Sequence, residues 1–165
     1  MSDNRRMILL LVFGVVSALP ISPRSAHAQP AARADTTWAA LDVASAINRA
    51  IEESAEGVQL REKAVRRISE CSLMYGGLST MATNAEVKKS YVQAQTATME
   101  VEEKISQPLQ PEKRLELEGA ARVSVALKLR ALKAQNDNKE IAPLLRSCKG
   151  LNDLKEFKNA LRELP

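Results

Sequence analysis

The sequence predicts an all-α fold: a small antiparallel bundle of four to five helices, stapled by one disulfide. Three observations predict it. Apolar residues recur at spacings of three and four through most of the chain, the helical period. Ala, Leu, Glu, Lys and Arg dominate and favour helix, while no stretch alternates with the period of two that a strand needs. Two cysteines, Cys71 and Cys148, both fall on apolar helix faces. At 165 residues, 27% charged and 45% hydrophobic, the composition is that of one globular domain preceded by a processing segment.

The processing segment comes first. Arg5 and Arg6 precede an uncharged run from Met7 to Leu19, and Pro20 ends it. A spanning helix needs about 20 apolar residues, so this run is too short and reads as the core of a secretory signal. Ala26-His27-Ala28 is a small-x-small cleavage site, and Ala32-Arg33-Ala34 is a weaker one further from the run. The expected organisation is a cleaved signal over residues 1–28, a flexible Pro/Ala leader over 29–34, and a single helical-bundle domain over 35–165. No cysteine lies near the site to carry a lipid. The paired arginines leave the route open between general secretory and twin-arginine export.

The first helical stretch is expected from Thr37 to Tyr75, with Leu41, Ala44, Ile47, Ile51, Val58, Val65, Ile68 and Tyr75 on its apolar side. One helix of that length would span roughly 60 Å, so a kink at Gly57 is favoured. Gly76-Gly77 reads as its stop. Thr83-Asn84-Ala85-Glu86 reads as a capping box with Thr83 at the cap, opening a second helix. That helix carries the stripe Val87, Tyr91, Ala94, Thr98, Val101 and Ile105. Pro108 and Pro111 end it, and Pro111 suits the first turn of a third helix reaching about Gln135. This third helix is apolar on two sides, with Val123 and Leu127 on one and Leu117, Ala121, Val125, Leu129 and Leu132 towards the other. Such a helix is usually sandwiched between others, so it is expected at the centre. A short helix from Ile141 to Cys148 and a last one from about Asn152 to Leu164 complete the chain.

Cys71 lies on a face with Ala64, Ile68 and Tyr75, and Cys148 on a face with Ile141 and Leu144. Two inward-facing cysteines in an exported chain predict a Cys71–Cys148 disulfide. Cys71-Ser72-Leu73-Met74 offers too few ligands for a soft metal, and no metal or cofactor is expected.

The sole histidine, His27, lies in the signal, so residues 29–165 contain none. That removes Ser-His-Asp and Cys-His catalysis, His-ligated zinc or iron, and haem attachment through C-x-x-C-H. No phosphate-binding glycine motif is present, and four aromatic residues after the signal are too few for a stacking platform. Charge divides along the chain. Residues 29–120 carry 11 basic and 14 acidic side chains, and residues 121–165 carry 10 and 5. Arg122, Arg130 and Lys133 share one side of the third helix and form the candidate anion-binding patch, which Lys139, Arg146, Lys149, Lys155 and Lys158 extend. Carboxylate pairs such as Glu52 with Glu56 and Glu112 with Glu116 sit among Lys and Arg at helix-pair spacing, the pattern of a surface helix. Arg61, beside an apolar stripe, is expected to snorkel to solvent.

These features point to a periplasmic or secreted helical protein without an enzymatic role, acting as an adaptor or chaperone-like binder of another envelope or secreted protein. An exposed apolar groove along Trp38 to Ile51 is expected for it. The alternative is a module for an anionic envelope polymer, lipid head groups or a small anion at the basic carboxy-terminal third. A carboxylate-based hydrolase is the remote third reading. Nucleic acid is not an expected partner, nor is a membrane-spanning segment after cleavage.

Overall fold

The structure is a computed structural model that describes residues 35–135, 138–152 and 154–162. The expected signal and leader, residues 1–34, lie outside the described residues. The described chain is all-helical: α1 (Asp35–Glu52), α2 (Gly57–Met81), α3 (Ala85–Ser106), α4 (Pro111–Gln135), α5 (Ile141–Lys149) and α6 (Leu154–Arg162), with a single 3₁₀ turn at Gly150–Asn152 before α6. The four to five helices expected are therefore six. The extra one arises because the chain does not kink at Gly57. It breaks and reverses there, over residues 53–56. Ser54 accepts a hydrogen bond from the Glu56 amide at 3.1 Å and fixes this turn.

Pairwise contacts give the helix directions. Ser69 of α2 meets Glu102 of α3, and Gly76 meets Gln95, so these two helices run antiparallel. Glu62 of α2 meets Lys113 of α4, and Gly77 faces Leu129, so α2 and α4 run parallel. At the turn end, Arg61 of α2 donates to Asn48 Oδ1 of α1 at 2.8 Å and to the Ile105 carbonyl of α3 at 3.1 Å. Its head group thus ties three helices together rather than snorkelling, because acceptors from α1 and α3 converge on it.

The centre is α2, not α4. Helix α2 packs against α1, α3, α4, α5 and α6, whereas α4 rests on α2 and touches α5. Ala64, Val65, Ile68, Cys71 and Met74 are fully enclosed, joined in one core by Ile47, Ile105, Val125 and Phe157. Gly76-Gly77 is not a stop, and α2 continues to Met81. A Cβ on Gly76 would press on the Gln95 side chain, and one on Gly77 would overlap the Leu129 methyl groups. The pair serves close approach of α3 on one side and α4 on the other, 100° around the helix. The cap of α3 is Asn84 rather than Thr83: its Oδ1 accepts from the amides of Glu86 (2.9 Å) and Val87 (3.0 Å). Pro111 opens α4 as expected.

Cys71 and Cys148 form a disulfide, with Cα atoms 5.5 Å apart. It staples α5 to the centre of α2. The buried Phe157 and Leu161 of α6 then close the core beneath α1 and α2. Among the described residues no helix is long and apolar enough to cross a membrane.

Candidate functional site

Two surfaces meet along α4, a polar recess on its inner edge and an apolar face on its outer side. The recess, of about 310 Å³, opens between α2, α3 and α4. Helix α2 supplies Ser69, Ser72 and Leu73, α3 supplies Met99, Glu102, Glu103 and Ser106, and α4 supplies Arg114, Glu118 and Arg122. The three α4 residues are spaced by four, which puts them on one edge of that helix. Ser69 donates a hydrogen bond to Glu102. Burial pushes the Glu102 carboxyl above its ordinary value; the Ser69 bond and Arg114 oppose the shift, and Glu118 adds to it. A half-buried carboxyl facing a second one is the minimal equipment for proton transfer. The same groups also join three helices, which is the simplest account of their placement. Nearby, Arg66 and Arg67 converge on the buried Glu70, at 3.9 and 3.1 Å. Lys113 bridges Glu62 and Glu116, at 3.3 and 3.2 Å.

The outer face of α4 departs most from the sequence expectation. The inner side, Leu117, Ala121 and Val125, is buried on α2. Among the described residues, no helix lies over the other apolar side. Leu115, Val123 and Leu127 expose 69%, 64% and 60% of their surface. Gly119, Ala120, Ala126 and Ala134 are exposed among them. A Cβ added to Gly119 would meet nothing within 4 Å.

The candidate anion patch lies beside this face. Arg122, Arg130 and Lys133 are all exposed, and none of them forms an ion pair with another described residue. The extension of the patch is divided by the fold. Arg122 borders the α2–α3–α4 recess, Lys149 a separate recess beside the disulfide, and Lys158 another between α1 and α6. The groove expected along α1 is largely filled. Ala44, Ile47 and Ile51 are buried, and the apolar side of α1 borders two small recesses of about 290 and 390 Å³ rather than one open channel.

Glu102, Ser69 and Arg114 were not singled out from the sequence. Glu102 stands one residue from the apolar Val101 and three from Ile105. That edge position was the available signal for a half-buried carboxyl.

No family model, curated protein or solved structure matches this chain.

Proposed function

We propose that this protein is a non-enzymatic interaction component of the cell envelope or its exterior, an adaptor or chaperone-like bundle that engages another protein through the outer face of α4. One observation carries the reading. Three large apolar side chains spaced along a single helix stand open to solvent, with a basic rim. Isolated exposed apolar residues are ordinary, but a rimmed apolar stripe is the usual mark of a protein contact. The export signal and the disulfide support the compartment, since disulfides persist outside the reducing cytosol.

The test is capture from envelope and secreted fractions with the wild-type chain and with a Val123→Asp/Leu127→Glu variant. The reading expects a partner retained by the wild type and lost with the variant. Equal recovery by both chains would overturn it.

A second reading rests on the exposed, unpaired Arg122, Arg130 and Lys133. A cationic edge of this kind suits an anionic polymer or lipid head groups. Reversing all three charges should then abolish sedimentation with vesicles of phosphatidylglycerol. Binding unchanged by the reversal, or absent in the wild type, would count against it.

A further inference from the structure

The outer face of α4 is patterned to meet itself. Close to the line of Val123, Glu112 and Glu116 lie in the first half and Arg130 in the second. Val123 stands at the middle with 64% of its surface exposed. Turning a second α4 antiparallel about an axis through Val123 brings residues whose numbers are equally far from 123 face to face. Glu116 of each copy then opposes Arg130 of the other, and Gly119 opposes Leu127. Ala120 opposes Ala126, and the two Val123 side chains meet on the axis. The Glu116–Arg130 pair recurs at both ends by symmetry, and each Leu127 finds a glycine. A parallel pairing would instead set Glu116 against Glu116 and Arg130 against Arg130. Complementarity of charge is the term that separates such alternatives.

Gly119 adds a separate argument. A glycine inside a helix costs about 1 kcal/mol relative to alanine. Among the described residues nothing approaches it, in contrast to Gly76 and Gly77. Its small size meets no close neighbour among the described residues, and the facing Leu127 of a second copy supplies one.

We infer that the chain forms an isologous dimer through antiparallel packing of α4 on α4, with Val123 on the two-fold axis. This names a second copy of the chain as an occupant of the interaction face proposed above, and it rests on that reading. A contact limited to one helix face lies at the small end of the interface range, so the dimer is expected to be reversible.

The experiment is sedimentation velocity on the full chain, produced with its own amino-terminal segment and purified in the form the cell leaves it. Concentrations run from micromolar to about 1 mM. The wild type should pass from monomer to dimer across this range. Val123→Asp should weaken association at least about tenfold, as loss of a central apolar contact does, while circular dichroism at low concentration stays unchanged. Glu116→Arg and Arg130→Glu should each weaken it. The Glu116→Arg/Arg130→Glu double variant should recover the wild-type midpoint, a rescue that parallel packing does not give. A wild type that stays monomeric throughout, or a dimer indifferent to Val123→Asp, overturns the inference. If the wild type stays monomeric yet captures a different protein in a Val123-dependent way, the interaction reading stands and the second copy alone is excluded. If it does neither, both fail.

Discussion

Helices α2 and α4 are each 25 residues long, run parallel and touch along much of their length, yet they occupy opposite situations. Helix α2 is the less conspicuous in sequence. It carries four basic side chains and a glycine pair, but it lies at the centre and encloses Glu70, Ser69, Ser72 and Ser79 as well as its apolar residues. Helix α4 is apolar on two sides and covers only one of them. Burial of Glu70, Ser69 and Ser79 on α2 is possible because each of these finds a partner: Arg67 for Glu70, Glu102 for Ser69, and the Gly76 carbonyl for Ser79. Exposure of Val123 and Leu127 on α4 has no such account among the described residues. An apolar face thus shows what a helix can bury, and the partner that buries it need not belong to the same chain.

The largest effect that would break this asymmetry is loss of the disulfide. Cys71 anchors α2 to Cys148 of α5, closing a separation of 77 residues. The chain-entropy model assigns such a closure roughly 4–5 kcal/mol. A Cys71→Ala/Cys148→Ala variant should lose about that much in urea unfolding. The loss should release α5 and α6 first, with amides around Phe157 exchanging faster than those of α3. A variant that unfolds at the wild-type midpoint would remove the staple from the account of why α2 is central.

Next comes Gly77→Ala. The added methyl overlaps Leu129, whose side chain must shift. Overpacking of this kind costs about 1–3 kcal/mol, against a helix gain of up to about 1 kcal/mol for replacing glycine. A net loss on the order of 1 kcal/mol is expected by denaturation. Gly76→Ala should cost less, because the Gln95 side chain that it meets is long and can move.

How much of this was legible depends on the kind of signal. Helix content and the α3 stripe follow from local periodicity, the Pro111 start from proline's preference for a first turn, and the cysteine pairing from compartment and even count; all are present, except that Val87 at the head of the stripe is exposed. The glycine pair was ambiguous, because glycine serves equally to end a helix and to let another approach. Only the positions of Gln95 and Leu129 decide between them. Thr83 and Asn84 are both good caps, one residue apart, and the sequence alone does not rank them. The central helix was misassigned because a two-sided apolar pattern says that two faces can be covered, not that they are. The recess was missed for a related reason. Ser69, Glu102 and Arg114 come from three helices, and no spacing within one helix joins them.

Gly119 sharpens the comparison with the opposite sign to Gly77. Gly119→Ala places a methyl in open space on a helix interior, which should raise stability by about 0.5–1 kcal/mol in dilute solution. The same substitution in α2 is destabilising, so the pair reads covered against uncovered backbone directly. A destabilised Gly119→Ala chain at low concentration would mean that α4 is covered from within after all.

The smallest effect concerns the seam between the two helices, where Glu102 of α3 faces Ser69 of α2 and the Arg114–Glu118 edge of α4. Burial raises the affinity of Glu102 for its proton in the folded state. The folded chain therefore holds a proton that the unfolded chain has already released at mildly acidic pH. Stability from this group is complete below the ordinary glutamate value of 4.5 and declines as pH rises through the higher folded value. Above that it stays level, with the ionised carboxylate confined beside Glu118. Glu102→Gln removes the titration while keeping the shape and an acceptor for Ser69. The difference in unfolding free energy, wild type minus variant, should fall between pH 4.5 and neutrality, leaving the variant at least as stable at pH 7. A difference that rises with pH would mean that Ser69 and Arg114 hold the ionised form more strongly than burial opposes it. The seam would then be an ionic clasp fastening α4 to the centre, and the openness of its outer face would depend on charge rather than on packing.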